Sequence, residues 1–222
     1  MTVERIALPP KLLPVFAPPR GAVQYRGSFG GRGSGKSFSF AKMAAVWGLA
    51  EPLRILAARD LQVTIKESFH AELKGAIEAE PWLAENYEIG VDFLRGRNGT
   101  EFIFRGLRHN TGSIKSLAGI DLTIVEEAED VTEDAWIALE ATVLRRPKSE
   151  LWAIWNPKRR GSPVDRRFRQ FYDPANMAFA KMNWRDNPRF PSGLNDLRVS
   201  QQKSMSEEMY RHIWEGDYEA ES

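Results

Sequence analysis

The sequence predicts an α/β fold, a mostly parallel sheet flanked by helices, and three observations carry that prediction. Short apolar runs alternate with helix-compatible stretches, the pattern of a chain that crosses over between parallel strands. A glycine-rich loop, Gly30-Gly31-Arg32-Gly33-Ser34-Gly35-Lys36-Ser37, stands between the first such run and the first long helical stretch. A buried-strand pattern, Ile120-Asp121-Leu122-Thr123-Ile124-Val125, ends abruptly in Glu126-Glu127.

The elements follow in order. Residues 1–20 read as a proline-rich arm, with Leu12, Leu13, Val15 and Phe16 expected on the core. Residues 22–26 alternate apolar with polar or longer side chains and read as the first strand. Residues 38–49 are rich in Ala, Phe, Met and Trp and lack Pro, which predicts a helix. A short buried strand over 53–58 and a helix over 61–77 come next. Residues 87–95 and 101–105 flank Arg97-Asn98-Gly99, and Asn-Gly between two strand-like runs signals a hairpin, an antiparallel addition to the sheet. After the strand at 120–125, a helix over 132–144 leads to a strand over 150–155, which Pro157 stops. A helix over 164–172, a strand over 177–183 and two short helices after Pro191 complete the chain, and Ser204 with Glu207 gives a capping-box signal for the last.

Composition sets bounds. The 222 residues, 42% hydrophobic and 27% charged, suffice for one sizeable core with a small appended subdomain and exclude general disorder. No apolar run approaches the roughly 20 residues of a membrane helix, and prolines stand where a signal peptide needs its apolar stretch. The absence of cysteine excludes disulfides and thiolate-bound zinc and fits a reducing cytosol; with 3 His, a histidine-rich metal site is not expected either. The net charge of +1 hides a segregation. Arg145, Arg146, Lys148, Lys158, Arg159, Arg160, Arg166, Arg167 and Arg169 crowd one region, and Glu126, Glu127, Glu129, Asp130, Glu133 and Asp134 another. The basic cluster reads either as a surface that neutralises nucleic-acid phosphates or as an ordinary solvated face.

Two motifs carry the chemistry. Gly, any four residues, Gly-Lys-Ser after a strand and at the start of a helix is the phosphate-binding P-loop pattern. Glycines allow the dihedrals that aim several backbone N–H groups at one anion, and the helix adds the positive end of its dipole. Lys36 would then meet the β- and γ-phosphates of ATP and the Ser37 hydroxyl would ligate Mg²⁺. A hydrolytic site of this kind also needs an acid at the end of a buried strand for the Mg²⁺ waters and a carboxylate beside it to orient and deprotonate the attacking water. Glu126 and Glu127 stand where these are required. Asn156, at the end of the 150–155 strand, is placed at the sheet edge where open α/β folds bind ligands; taken alone, it could simply cap a turn.

These segments together resemble the N-terminal ATPase portion of the large terminase subunit of tailed double-stranded DNA bacteriophages. The resemblance spans residues 25–218 and rests on GGRGSGKS at 30–37, AARDLQVTIKES at 57–68, IKSLAGIDLTIVEEAE at 114–129, WNP at 155–157, DNPRFP at 186–191 and YRHIWEG at 210–216. It implies a P-loop NTPase fold of the ASCE or RecA-like type, with the β-hairpin addition and a small C-terminal helical subdomain, divided into an ATPase core over 1–182 and a linker or lid over 183–222. It implies an ATP- and Mg²⁺-dependent motor that drives double-stranded DNA into a preformed capsid. The partners would be the portal protein, the small terminase subunit and further copies in a ring at the portal, with a monomer in isolation. The place would be the bacterial host cytoplasm and, transiently, the procapsid portal vertex, with no membrane.

Carried over by position, Gly30, Gly31, Arg32, Gly33, Ser34, Gly35, Lys36 and Ser37 bind the phosphates, Glu126 with Ser37 serves the metal, and Glu127 is the catalytic carboxylate. Arg32 would reach the γ-phosphate as an arginine finger in cis, where a planar, permanent charge suits the transferring phosphoryl group; the alternatives are solvent and a neighbouring subunit. Asn156 falls on the coupling motif, whose usual Thr is replaced by Ile154, and Glu126 stands where Asp is more general. Arg59 and Gln62 match a segment that borders the nucleotide. The chain ends shortly after Tyr218, so no nuclease activity is expected of it. The competing readings are a helicase- or recombination-type P-loop ATPase and a module that binds nucleotide without hydrolysing it.

Overall fold

The computed structural model describes residues 4–60, 62–108 and 111–219, with the backbone alone at 62–67 and 111. The arm opens with a 3-10 turn and α1 (Leu13–Phe16), and it buries Leu12 and Val15. Leu13 is 54% exposed, against expectation, because a one-turn helix offers a single inward face and residues 12, 15 and 16 take it. Strand β1 (Tyr25–Phe29) lies three residues later than the alternation over 22–26 indicated. Gly27 and Ser28 look like loop residues, yet β1 is sandwiched between neighbours so close that a Cβ on Gly27 would stand 2.1 Å from the Ala153 carbonyl oxygen. Small residues there serve packing, and periodicity could not show it.

The crossover helix α2 (Lys36–Ala50) leads to β2 (Arg54–Arg59), then α3 (Gln62–Glu78) and α4 (Pro81–Ala84). The run at 87–95 is two strands rather than one, β3 (Tyr87–Ile89) and β4 (Leu94–Gly96), because the Gly90 N–H donates to the Phe93 carbonyl at 2.9 Å and closes a tight turn. The expected hairpin across Asn98-Gly99 joins β4 to β5 (Glu101–Gly106), where Leu94 faces Phe102 in antiparallel register. Next come α5 (Thr111–Lys115), β6 (Leu122–Glu126), α6 (Glu133–Val143), which Thr132 caps, and β7 (Glu150–Trp155). Helix α7 (Pro163–Asp165), capped by Ser162, continues as a π-turn over Arg166–Gln170 before β8 (Met177–Lys181). Helices α8 (Ser192–Ser204) and α9 (Glu207–Tyr210) follow. The cap of α9 is Ser206, whose hydroxyl accepts from the Met209 N–H; Ser204 still lies inside α8, so the capping-box reading is corrected by two residues.

Among the described residues the strands form one sheet of eight in the order β3-β4-β5-β2-β6-β7-β1-β8. From β5 to β8 all neighbours are parallel; β4 alone runs against them, and β3, antiparallel to β4, shares their direction. One additional strand, β7, separates the strand before the glycine loop from the acid-tipped β6. Helices flank both faces. Phe40, Ala44 and Phe69 belong to the apolar cluster on one side, and Trp136, Leu139 and Phe168 to the cluster on the other. Strands β6 and β7 are buried along their whole length, as a parallel strand covered on both faces must be.

A buried ion pair ties the arm to the sheet. Arg26 and Glu150 are fully buried and meet in a bidentate pair at 2.8 and 2.9 Å. The remaining Arg26 donors reach the Val15 and Pro19 carbonyls, and Glu150 also accepts from Gly21 N–H and Trp152 Nε1. Every strong group is matched, which is the condition under which buried charges are tolerated. No helix among the described residues is long and apolar enough to cross a membrane.

Candidate functional site

Parallel pairing places the carboxyl ends of β1, β2, β6 and β7 along one edge, so the segments at 30–37, 60, 127 and 156 share that edge. The glycine loop leaves β1 and turns into α2 through Gly35, whose left-handed φ of 78° a residue with a Cβ adopts only at a cost. The first turn of α2 then leaves N–H groups without helical partners, at the positive end of the dipole.

The C-terminal segment grips this loop from behind. A Cβ on Gly31 would stand 2.1 Å from the Trp214 carbonyl oxygen. The Arg32 N–H donates to the Ile213 carbonyl at 2.8 Å, the Gly31 N–H to Asn183 Oδ1 at 3.0 Å, and Asn187 Nδ2 to the Gly33 carbonyl at 2.8 Å. Sequence reasoning noticed the stretches at 186–191 and 210–216 only as marks of resemblance. Their contact with the loop is tertiary, and the glycine at 31, which no turn rule demanded, was its only trace.

Lys36 is buried and donates to the Gly30 carbonyl at 3.3 Å, the Gly31 carbonyl at 3.0 Å, Ser34 Oγ at 2.9 Å and Asn156 Oδ1 at 2.8 Å. All four acceptors are neutral. Burial therefore dominates, pushing the amine down to about 7. Asn156, read from the sequence as a possible coupling residue, is in direct contact with the loop lysine.

Glu126 ends β6 and is largely buried, and it accepts a hydrogen bond from Ser68 Oγ at 3.2 Å. Glu127 follows in a left-handed backbone conformation (φ 49°, ψ 45°) with its side chain 55% exposed. The Arg59 guanidinium clasps it with two donors, Nε to Oε2 at 2.8 Å and Nη2 to Oε1, while Nη1 donates to Ser68 Oγ at 2.8 Å. Arg59 thus lies on the acid pair; the Gln62 side chain lies outside the described residues.

Arg32, Ser34, Lys36, Ser37, Glu126, Glu127 and Asn156 all line one cavity of about 860 Å³. Arg32 is exposed, and no hydrogen bond or ion pair of its side chain is found among the described residues. Glu72, not singled out by the sequence, joins the same wall, and burial, then the charge of Glu126, raises its carboxyl. Ser37 and Glu126 present hard oxygen donors to the cavity, the donor type Mg²⁺ takes. Among the described residues no cluster of three or more His, Asp or Glu could cage a metal, so an ion here would draw its remaining ligands from phosphate and water.

The charge clusters separated in sequence come together in space. Lys158 pairs with Asp130 at 2.8 Å, Arg166 and Arg167 both reach Glu133, and Arg146 pairs with Asp121. Much of the basic stretch is neutralised by acidic partners, which weakens the reading of it as a phosphate-binding surface.

A family model described as the phage terminase large subunit matches residues 23–217. The large terminase subunit of Bacillus phage SPP1 is 27% identical over 203 residues, covering 85% of this chain and 47% of that protein. The large terminase of a thermophilic bacteriophage, solved in complex with ADP, superposes with a TM-score of 0.71 at 15% identity, over 92% of this chain and 52% of that one. The ATPase domain of the Thermus phage P74-26 large terminase does so with a TM-score of 0.61 at 17% identity, over 90% and 91%. The chain therefore spans about half the length of the curated relative it matches.

Proposed function

The chain belongs to the phage terminase large-subunit family, and on that premise we propose that it is an ATP-hydrolysing motor module that drives double-stranded DNA into a procapsid. The observation that carries the reading is the convergence of Lys36, Ser37, Glu126, Glu127 and Asn156 on one cavity beneath a left-handed glycine loop. Loop N–H groups and the α2 dipole bind the phosphates, and Lys36 neutralises them. Ser37 and Glu126 are the residues that would hold Mg²⁺, which supplies charge neutralisation at the phosphates. Glu127 orients the attacking water and accepts its proton. Arg32, exposed at the cavity and with no side-chain partner among the described residues, would meet the γ-phosphate. Asn156 exchanges its contact with Lys36 when phosphate arrives, which makes β7 a reporter of nucleotide state.

Residues 183–222 act as a small subdomain whose grip on Gly31, Arg32 and Gly33 links it to the loop of a core over 1–182. Double-stranded DNA, the portal protein, the small subunit and further copies in a ring are the proposed partners, in the host cytoplasm and at the portal vertex. Family membership favours packaging over the helicase or recombination alternative. Glu127→Gln tests the chemistry: it should bind an ATP analogue within a few-fold of wild type and lose roughly 100-fold or more in turnover with Mg²⁺. Wild-type turnover in this variant would overturn the assignment.

A further inference from the structure

Strands β6 and β7 end almost level, with Glu126 facing Ile154 in parallel register and only Trp155 beyond it. Glu127 and Asn156 therefore stand on two chains that have just left the ladder between those strands. Past that point the ladder no longer fixes their separation, and Pro157 has no N–H with which to extend it. The next tie is Glu129. The Asp130 N–H donates to the Glu127 carbonyl at 3.1 Å and closes the 3-10 turn over Ala128–Asp130, which leaves Glu129 only 7% exposed. Its Oε1 accepts the Arg159 backbone N–H at 3.0 Å, three residues past Asn156. Burial raises the Glu129 carboxyl, and donors from the 158–162 segment, the Arg159 amide first, act against that rise. A carboxyl oxygen accepts an N–H whether or not the group is protonated, so the tie is one of geometry rather than charge. On the outer side Lys158 pairs with Asp130 at 2.8 Å, but these side chains are 45% and 42% exposed, and so exposed a pair holds little by itself. The spacing of the two chains falls to Glu129.

We propose that Glu129 is a positioning residue that joins Glu127 and Asn156 into one unit: it fixes the segment after Asn156 to the turn after Glu127, and so sets the distance between the water-orienting carboxylate and the amide that contacts Lys36. It acts on turnover through those two residues and not by touching the nucleotide. The proposal rests on the roles given above to Glu127 and Asn156.

The test compares Glu129→Ala, Glu129→Gln, Asn156→Ala, Glu127→Gln and the double variant Glu129→Ala/Asn156→Ala, by steady-state ATP hydrolysis and by binding of a fluorescent non-hydrolysable ATP analogue. Glu129→Ala should lower kcat about 10-fold or more, with analogue affinity within about threefold of wild type. Glu129→Gln keeps an acceptor for the Arg159 amide and should hold kcat within about fivefold. In the Asn156→Ala background the further loss from Glu129→Ala should shrink to about threefold or less, because the spacing no longer has a second end to serve. Wild-type kcat in Glu129→Ala would overturn the proposal. So would Glu129→Gln as slow as Glu129→Ala, since charge rather than the tie would then act. Losses that simply multiply in the double variant would overturn it too, because Glu129 would then act without Asn156. Should Glu129→Ala fail to fold, Glu129→Asp, which keeps the charge but is one methylene too short for the Arg159 amide, is read against the same outcomes. Wild-type turnover in Glu127→Gln alone would instead remove the parent assignment.

Discussion

Nucleotide binding to this domain should take up a proton, and Lys36 sets the amount. Its amine is lowered to about 7 by burial among neutral oxygens. At pH 8 about a tenth of the free protein then carries the ammonium, and a bound polyphosphate restores the charge, so uptake should be about 0.9 proton per site. By the same linkage, affinity should weaken about fivefold from pH 7 to 8 and about tenfold from pH 8 to 9, about 50-fold in all. The assay is calorimetric titration with a non-hydrolysable ATP analogue in Tris and in HEPES at equal pH; the difference in apparent enthalpy, divided by the difference in buffer ionisation enthalpy, counts protons. Asn156→Asp is the control. It places an anion where Oδ1 lies 2.8 Å from the amine, which keeps Lys36 charged and competes with phosphate. Uptake in that variant should fall toward zero and affinity should drop at least tenfold. Uptake near zero at pH 8 in the unaltered chain, or an affinity flat from pH 7 to 9, would refute the reasoning. The sign for stability follows from the same group. The unfolded chain keeps the lysine proton up to the ordinary 10.5, so between about 7 and 10.5 the unfolded state binds more protons and the free domain gains stability as pH rises.

Two further perturbations address the scaffold. Glu150→Ala leaves Arg26 charged and buried without its partner, and should cost about 3–5 kcal/mol by urea denaturation, with the proline-rich arm becoming protease-sensitive; a loss under 1 kcal/mol would mean that the arm is held by its apolar contacts alone. Gly31→Ala forces a methyl group against the Trp214 carbonyl, so it should cost about 1–3 kcal/mol and weaken nucleotide binding, because the segment behind the loop must give way. Unchanged melting and unchanged affinity would show that this contact is easily displaced.

How far the chain could be read before folding differs from element to element. Strands β6 and β7 were legible because a strand buried on both faces must be apolar throughout, and that leaves an unbroken run. The hairpin at Asn98-Gly99 was legible because its turn demands particular residues. Strand β1 was misplaced because Gly27 and Ser28 are small for the sake of neighbours distant in sequence. Leu13 was misplaced because a single helical turn carries too short a period to give a face. The split of β3 from β4 depended on one local hydrogen bond at Gly90, which composition does not encode. At the site, Lys36, Glu126, Glu127 and Asn156 stood out because each lies at a motif-defined position on a strand end or helix start. Ser68 and Asn183 did not, since nothing in their local sequence marks a partner 58 or 152 residues away, and neither did Glu72, which meets the charge of Glu126 only in the folded chain.

Sequence alone determined the α/β class, the glycine loop that opens α2, the acid pair at a strand end and the family to which these belong, because each is encoded in a short contiguous stretch whose spacing is its own constraint. Only the tertiary structure decided the strand order, the grip of residues 183–216 on the loop, the neutral cage that lowers Lys36, and the clasp of Arg59 on Glu127. Each of these depends on which strand ends become neighbours in the sheet and on how much water is excluded there, and both are properties of the packed chain rather than of any segment of it.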